Sequence, residues 1–345
     1  MSKETTHRVL IVRFGSMGDI LHSLPVLASL RESFPDWEVD WLVESRWRPL
    51  LEGIPCLSRI VDFDTLTWRK RPLALQTLRA VRGAMQTLRA RRYDCALDLQ
   101  AALKSAIACY LSGAREIVGF KQPWLKEPAC GVFYTRSVSP NAVHIVEANL
   151  ALAAALGARP GPVRFPLPPG DPAALPADLP PNGLAVINPG AGWRSKLWPA
   201  ESYARVCDAL QQDFSLPVVL NCGPGEEGLV EEVLRNCRRS PPRVYSGNVQ
   251  GLIALLRRSR LMVGPDTGPV HLAAALGVPT VGLFGPTDPR RNGPYGARYR
   301  SLRPDGAVTS HRHSARSAEL MEQIHPDQVL EAIHELLLGQ TECLS

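Results

Sequence analysis

Residues 264–277 place a carboxylate, a hydroxyl and an imidazole close together in the chain, next to a tight Gly/Pro turn. The order of residues predicts that a strand ends at this turn and that a helix follows over about 269–277. Asp266, Thr267 and His271 would then surround the N-terminus of that helix, where unpaired N–H groups and the helix dipole favour a phosphate. The plainer interpretation is a helix cap, a role that Asp or Thr fills before many helices. Taken alone, these residues favour the cap.

Three other predicted turns between a strand and a helix carry polar side chains. They are residues 15–19, which include Asp19; residues 188–199, which include Lys196; and residues 221–227, which include Glu226 and Glu227. The first is neither a dinucleotide fingerprint nor a Walker loop, because the glycine spacing and the G-K-[ST] ending are missing. Asp19 alone suits a helix cap better than a base. The lysine could neutralise a phosphate or simply be solvated, and the two glutamates fit either the helix dipole or a ribose hydroxyl.

Hydrophobic patterning predicts that strands and helices alternate in both halves of the chain, which is typical of α/β domains with parallel sheets. The predicted strands are 9–13, 37–43, 93–99, 184–188, 216–221, 243–245 and 260–263, and the predicted helices include 20–34, 199–213, 225–238, 249–258 and 326–338. We therefore expect two doubly wound parallel-sheet domains facing a cleft, with the ligand at the carboxyl ends of the strands.

Length and proline content give the domain boundaries. The 345 residues suit two domains. Nine prolines between positions 160 and 182 forbid a continuous helix or central strand and mark the connection. We expect a domain over 1–165, a linker over 166–182, a second domain over 183–325, and a C-terminal helix and tail over 326–345.

Composition excludes several classes of protein. No stretch of eighteen apolar residues and no signal peptide is present, so we expect a cytoplasmic protein. The eight cysteines form no C-x-x-C pair and have no histidine at metal-ligand spacing. Neither a zinc site nor a disulfide framework is expected, and most of the cysteines are predicted to be buried reduced thiols.

The net charge of +6 comes from the first half of the chain. Residues 1–160 contain 21 Lys and Arg against 15 Asp and Glu, whereas the remainder contains 18 of each. Residues 65–93 have no acid and eight basic side chains, namely Arg69, Lys70, Arg71, Arg79, Arg82, Arg89, Arg91 and Arg92. Leu78, Val81, Met85 and Leu88 add an apolar stripe at helical spacing. An anionic partner, such as a nucleic acid or a membrane surface, and an ordinary solvated helix remain equally good interpretations.

Several motifs together resemble one family. They are residues 11–25, 196–199, 266–275, 285–289 and 292–296, and they resemble the family 9 glycosyltransferases, the ADP-heptose:lipopolysaccharide heptosyltransferases, in family order. The Ser-Met-Gly-Asp segment at 16–19, followed by His22 and Pro25, looks most like the type I enzymes. The resemblance covers nearly the whole chain.

The resemblance implies a GT-B architecture, with an N-terminal acceptor domain and a C-terminal nucleotide-sugar domain. It implies transfer of L-glycero-D-manno-heptose from ADP-heptose to the Kdo of Kdo-lipid A, with inversion and without a metal or another cofactor. Asp19 matches the catalytic aspartate and Lys196 the phosphate-contacting lysine. The implied donor-binding residues are Asp266, Thr267, Gly268, His271 and Ser195, together with Glu226 or Glu227 at the ribose. Where some relatives carry hydroxyl residues, this chain has Ala191 and Gly192, so Ser195 or backbone N–H groups would have to replace them.

On the acceptor side the resemblance points to a peripheral enzyme at the cytoplasmic face of the inner membrane. Ser16, Met17, Gly18 and His22 would contact the acceptor, and Arg69 and Arg71 would attract its phosphates and carboxylates. We expect a monomer and no nucleic-acid partner. The alternatives are a family 9 enzyme with another acceptor or sugar, a nucleotide-sugar epimerase, and a non-enzymatic protein that binds anionic lipids.

Overall fold

The computed structural model describes residues 7–65, 74–296, 298–309 and 315–338. The chain divides into two compact units, Met1–Pro168 and Pro169–Ser345. Each unit has its own six-stranded sheet, and all registered strand pairs are parallel. The expected α/β class with two doubly wound parallel sheets is confirmed.

The N-terminal sheet has the order β3-β2-β1-β4-β5-β6. Its strands are β1 (Arg8–Val12), β2 (Glu38–Val43), β3 (Arg59–Asp62), β4 (Cys95–Asp98), β5 (Glu116–Phe120) and β6 (Arg136–Val138). The three central strands are those that the sequence predicts, because they are continuous buried runs. The strands β3, β5 and β6 were not predicted. β3 and β6 are short and partly exposed, whereas β5 is a buried run that the sequence analysis missed.

The helices of this unit are Met17–Leu21, Leu24–Ser33, Arg48–Leu51, Leu75–Arg91, Leu103–Leu111 and Ile145–Ala155. The prediction of a single helix over 20–34 is wrong, because one helix ends at Leu21 and a second begins at Leu24. Pro25 has no N–H to donate to the preceding turn, and it stands instead in the first turn of a new helix.

The C-terminal sheet has the order β12-β11-β10-β7-β8-β9. Its strands are β7 (Leu184–Ile187), β8 (Val218–Asn221), β9 (Arg243–Tyr245), β10 (Ser259–Pro265), β11 (Thr280–Leu283) and β12 (Tyr299–Leu302). The helices are Ala200–Gln212, Glu227–Asn236, Val249–Arg257, Gly268–Ala275, Pro289–Asn292, Ala315–Glu322 and Pro326–Leu338. The helix predicted over 326–338 is confirmed, with its start at Pro326, whereas β11 and β12 were not predicted.

The proline-rich connection is not a free linker along its whole length. The boundary between the units lies at Pro168 and Pro169. Beyond it, Asp171 N donates to Gln250 O, and the 3-10 turn Pro172–Ala174 packs on the helix Val249–Arg257. Most of the segment predicted as a linker is therefore part of the C-terminal unit.

The cysteines agree with the sequence prediction. The seven in the described ranges are free thiols, and five of them are buried. None of the helices in those ranges is long and apolar enough to cross a membrane.

Candidate active site

The carboxyl end of the C-terminal sheet gathers Lys196, Asp266 and His271 into one cluster. Lys196 Nζ lies 2.6 Å from Asp266 Oδ2 and also donates to Asp266 O at 3.0 Å. His271 Nε2 lies 2.9 Å from Asp266 Oδ1. These residues come from the loop after β7, the end of β10 and the helix Gly268–Ala275, so the parallel sheet is what brings them together.

Asp266 is ionised in this cluster. Burial by itself would raise its pKa, but the hydrogen bond and charge of His271 and the charge of Lys196 hold the pKa well below its usual range. Because the carboxylate accepts from His271, the Nε2 atom of that ring carries the hydrogen. Two of the three N–H donors of Lys196 go to Asp266, which leaves the third for a ligand such as a phosphate oxygen.

Two asparagines, which the sequence analysis did not single out, support this edge of the sheet. Asn221 Nδ2 donates to Asn188 Oδ1 at 2.6 Å, and Asn188 Nδ2 donates to Gly190 O at 2.8 Å and contacts Thr267 Oγ1 at 3.4 Å. Both side chains are nearly fully buried. Their positions at the ends of adjacent strands were the signal that could have identified them. They connect the glycine-rich loop to the turn that precedes the helix Gly268–Ala275.

The two glutamates of the third turn have different environments. The Glu226 carboxylate accepts from Gly223 N at 2.8 Å and packs so closely on Gly190 that a Cβ atom there would overlap it. Glu227 is exposed and bonds only to backbone N–H groups of its own turn. Glu226 is therefore the glutamate that lies against the glycine-rich loop.

The loop that carries Lys196 is anchored in the core two residues later. Trp198 is 1% exposed, its Nε1 donates to Ile324 O at 2.8 Å, and its ring packs edge-on against Tyr203. Ser195 is buried at 5% exposure, and its hydroxyl has no hydrogen-bond partner within the described ranges. The loop thus holds a lysine and a hydroxyl in fixed positions.

Asp19 forms a second cluster, in the N-terminal unit. It stands in the short helix Met17–Leu21, where Oδ2 accepts from Ser16 N at 3.0 Å and from Ser16 Oγ at 3.3 Å. Arg13 forms an ion pair with Oδ1, and Lys126 Nζ lies 4.0 Å from Oδ2. Burial raises the pKa of Asp19, but the charges of Arg13 and Lys126 and the Ser16 N–H outweigh it and lower the pKa to about 2. The side chain is still 33% exposed, so an ionised carboxylate is open to solvent.

The buried Asp98 organises the loop that holds Arg13. The Asp98 carboxylate accepts from the backbone N–H groups of Gln100 and Ala101, at the end of β4. The same loop binds the Arg13 guanidinium through Leu99 O, and Gln100 Oε1 accepts from Phe14 N. Sequence analysis assigned no role to Arg13 or Asp98. For Arg13 the reason is that its contact with Leu99 O joins positions 86 apart in the chain.

The other predicted acceptor residues differ in accessibility. Ser16 is exposed, whereas Met17, Gly18 and His22 are buried. Arg69 and Arg71 lie outside the described residues.

The helix Leu75–Arg91, called the basic helix below, has features of both interpretations: an apolar side that packs on the core and a basic side that is exposed. Leu88 is buried and Met85 packs on the same core cluster, so this end of the apolar stripe is ordinary core. Arg79, Arg82 and Arg89 are exposed. Arg91 is not part of a free basic surface, because it pairs with Asp40 at 2.9 Å and Glu38 at 2.9 Å.

A cavity of about 620 Å³ lies away from both clusters. It is lined by residues of β3 and of the helices Arg48–Leu51 and Leu75–Arg91, and none of the predicted site residues that the structure describes lines it. Within the described ranges, no group of three or more His, Cys, Asp or Glu side chains is arranged to hold a metal ion.

Comparison with known proteins decides the family. Residues 81–321 match glycosyltransferase family 9 (heptosyltransferase). The chain belongs to glycosyltransferase family 9. Lipopolysaccharide heptosyltransferase 1 of Pseudomonas aeruginosa is 33% identical to this enzyme over 308 residues, which cover 84% of the chain and 81% of the relative.

Solved structures support the same assignment. The E. coli heptosyltransferase WaaC with ADP is similar to this family 9 enzyme with a TM-score of 0.79 and 25% identity, covering 95% of this chain and 99% of that one. WaaC with ADP-2-deoxy-2-fluoro heptose gives a TM-score of 0.78 over the same shares of the two chains. The expected GT-B fold and glycosyltransferase activity are thereby confirmed, and the epimerase and non-enzyme alternatives are set aside.

Proposed function

We propose that this family 9 glycosyltransferase moves L-glycero-D-manno-heptose from ADP-heptose to the Kdo of Kdo-lipid A, with inversion at the anomeric carbon and without a metal ion. The observation that carries the proposal is the contact between Lys196 and Asp266 at the carboxyl edge of the C-terminal sheet. It joins two motifs of the family in one cluster that can neutralise a leaving diphosphate. The relatives named lipopolysaccharide heptosyltransferase, and the WaaC structures with ADP and an ADP-heptose analogue, support the choice of donor and pathway.

Donor binding would use the C-terminal cluster. One N–H of Lys196 and the backbone N–H groups at the start of the helix Gly268–Ala275 would contact the diphosphate. Thr267 and Ser195 offer hydroxyls to the same group, and His271 lies on the first turn. Glu226, held by Gly223 N, would accept from a ribose hydroxyl.

The reaction itself needs one base and one stabilised leaving group. The acceptor hydroxyl oxygen attacks the anomeric carbon as the bond from that carbon to the diphosphate oxygen breaks, and ADP leaves from the opposite face. Asp19 takes the proton of the hydroxyl. Asp19 is ionised and partly exposed, as a base that receives a proton must be. The charge that develops on ADP is balanced by Lys196 in place of a metal ion.

Asp266 would position rather than react. Its carboxylate is occupied by Lys196 and His271, so it holds the lysine in place and is not available to accept the proton of the acceptor.

The decisive experiment is product analysis with ADP-heptose and Kdo-lipid A, by mass spectrometry and NMR of the new linkage. We expect one heptose per acceptor, an anomeric configuration opposite to that of the donor, and the same rate with and without EDTA. Transfer only to an acceptor that already carries a heptose would instead show a later enzyme of the core. A retained anomeric configuration would exclude the single-displacement mechanism.

A further inference from the structure

The N-terminal unit exposes apolar side chains on two elements that pack together. Tyr110 is 60% exposed and Ile107 36% exposed on the helix Leu103–Leu111, and Val132 is 81% exposed in the 3-10 turn Pro128–Phe133. The rings of Tyr110 and Phe133 lie 5.8 Å apart, which joins the two elements. We call Ile107, Tyr110, Val132 and Phe133 the apolar patch. Apolar groups exposed together on a soluble protein commonly mark a surface for a partner or a membrane.

Basic side chains lie on the helix next to the one that carries Ile107 and Tyr110. The helix Leu75–Arg91 contacts the helix Leu103–Leu111, and Arg89 Nε donates to Leu111 O at 3.0 Å. This helix contains no acid, and Arg79, Arg82 and Arg89 are exposed on it. Lys104 adds a further exposed cation one turn before Ile107. Apolar and aromatic side chains beside arginines and lysines are the composition that suits the interface of a bilayer with anionic headgroups.

The helix that carries Ile107 and Tyr110 begins near the Asp19 cluster of the same unit. At the start of the helix Leu103–Leu111, Leu103 N donates to Glu127 Oε2. Lys126, the residue before Glu127, has its Nζ 4.0 Å from Asp19 Oδ2. Lys104 Nζ stands over the Phe14 ring, 5.2 Å from its centroid. Tyr110 follows six residues later, about 9 Å along the helix axis. A lipid whose headgroup reached Asp19 would thus have its bilayer near Tyr110.

We propose that the apolar patch and the exposed arginines of the helix Leu75–Arg91 form the surface that docks this enzyme on an anionic lipid bilayer. Val132, Ile107 and the aromatic rings enter the interface, and the arginines contact lipid phosphates. The choice of a bilayer rests on the proposed function, in which the acceptor is anchored by lipid. It also rests on charge, because the exposed cations of the basic helix are matched by no acid within it.

The test is binding of the full-length enzyme to vesicles of neutral phosphatidylcholine, with and without anionic phosphatidylglycerol, measured by sedimentation. Val132→Asp and Tyr110→Ser should each reduce binding to anionic vesicles at least tenfold, and wild type should bind neutral vesicles weakly. The matched control is Val308→Asp, because Val308 is equally exposed at 77% but belongs to the C-terminal unit. The control should bind as wild type does. Unchanged binding of both patch variants, or equal loss in the control, would overturn the proposal.

Two further measurements distinguish membrane docking from a failure of the proposed function and from dimerisation through the apolar patch. Wild type and Val132→Asp should transfer to a water-soluble, deacylated Kdo acceptor at the same rate. With acceptor embedded in vesicles, Val132→Asp should be slower than wild type. Absence of transfer to either acceptor by wild type would count against the proposed function and leave the vesicle result to stand on its own. Sedimentation velocity should show the same mass for both proteins. A dimer that is lost in Val132→Asp would show that the patch binds a second copy of the chain instead.

Discussion

The Asp19 carboxylate faces two cations, Arg13 and Lys126, in the absence of substrate. Its proposed role as the base can be tested by substitution. Replacement by asparagine keeps the shape of the side chain and its contact with Ser16 Oγ but removes the proton acceptor. We expect kcat of Asp19→Asn to fall by about 10²–10⁴-fold. Calorimetry should show ADP binding unchanged, since the ADP contacts proposed above lie in the other unit. A variant that folds and keeps near-wild-type turnover would remove Asp19 from the mechanism.

The ion pair with Arg13 makes a prediction about pH. The positive charge of Arg13 favours the ionised form of Asp19 and helps to hold its pKa at about 2. Loss of that charge must raise the pKa, so a smaller fraction of Asp19 is ionised at pH 5. In Arg13→Gln, the acidic limb of kcat/KM should therefore move to higher pH, and Arg13→Lys should restore it. Identical limbs in wild type and Arg13→Gln would show that Arg13 does not tune the base.

Asp266 couples stability to pH through its depressed pKa. The pKa of this carboxyl is 3.8 in its ordinary state and lower in the folded unit, where His271 and Lys196 face it. Its contribution to the free energy of unfolding is therefore fully present above about pH 4 and is lost as the pH falls toward the folded-state pKa. Urea unfolding between pH 5 and 3 should show a steeper loss of stability for wild type than for Asp266→Asn. Parallel curves would contradict this assignment.

At the scale of single elements, the glycine-rich loop offers a matched pair of substitutions. A Cβ atom at Gly190 would displace the Glu226 carboxylate, whereas one at Gly192 meets no described atom within 4 Å. Because a glutamate side chain moves easily, Gly190→Ala should leave the melting temperature nearly unchanged. It should weaken ADP binding by about 10- to 150-fold if Glu226 contacts the ribose, since one charge-assisted hydrogen bond contributes about 1.5–3 kcal/mol. Calorimetry on both variants tests this, and equal affinities would place the ribose elsewhere.

The elements that the sequence predicted well are those with a clear local pattern of apolar residues. Runs such as 184–187 are buried on both faces and give a continuous apolar signal. The strand Thr280–Leu283 is interrupted by Gly282 and directly follows Pro279, so its pattern does not differ from that of a loop. The site follows the same division. Lys196 and Asp266 were predicted from motifs, while Arg13 and Asn188 act through contacts that only the folded sheets create.

At the scale of the whole molecule, the uneven charge predicts how salt affects the two substrates differently. The excess of basic over acidic residues lies entirely in residues 1–160, and exposed charges are screened over about 10 Å at 0.1 M salt. Raising NaCl from 0.05 to 0.5 M should increase KM for Kdo-lipid A far more than KM for ADP-heptose. The residues proposed to bind the donor lie in a largely buried cluster, where added salt screens charges less. Equal sensitivity of the two constants would argue against an electrostatic acceptor surface.

The attachment of the proline-rich connection to the C-terminal unit determines where this enzyme can be recombined with its relatives. Gly170 packs so closely on the helix Val249–Arg257 that a Cβ atom there would come within 2.6 Å of Ala254 N. A hybrid joined at residue 183 would therefore leave that helix without the covering it needs. One joined between Pro168 and Pro169 would keep both hydrophobic cores whole. That peptide bond is the position at which one unit could be exchanged for that of a relative while the other unit keeps its own contacts.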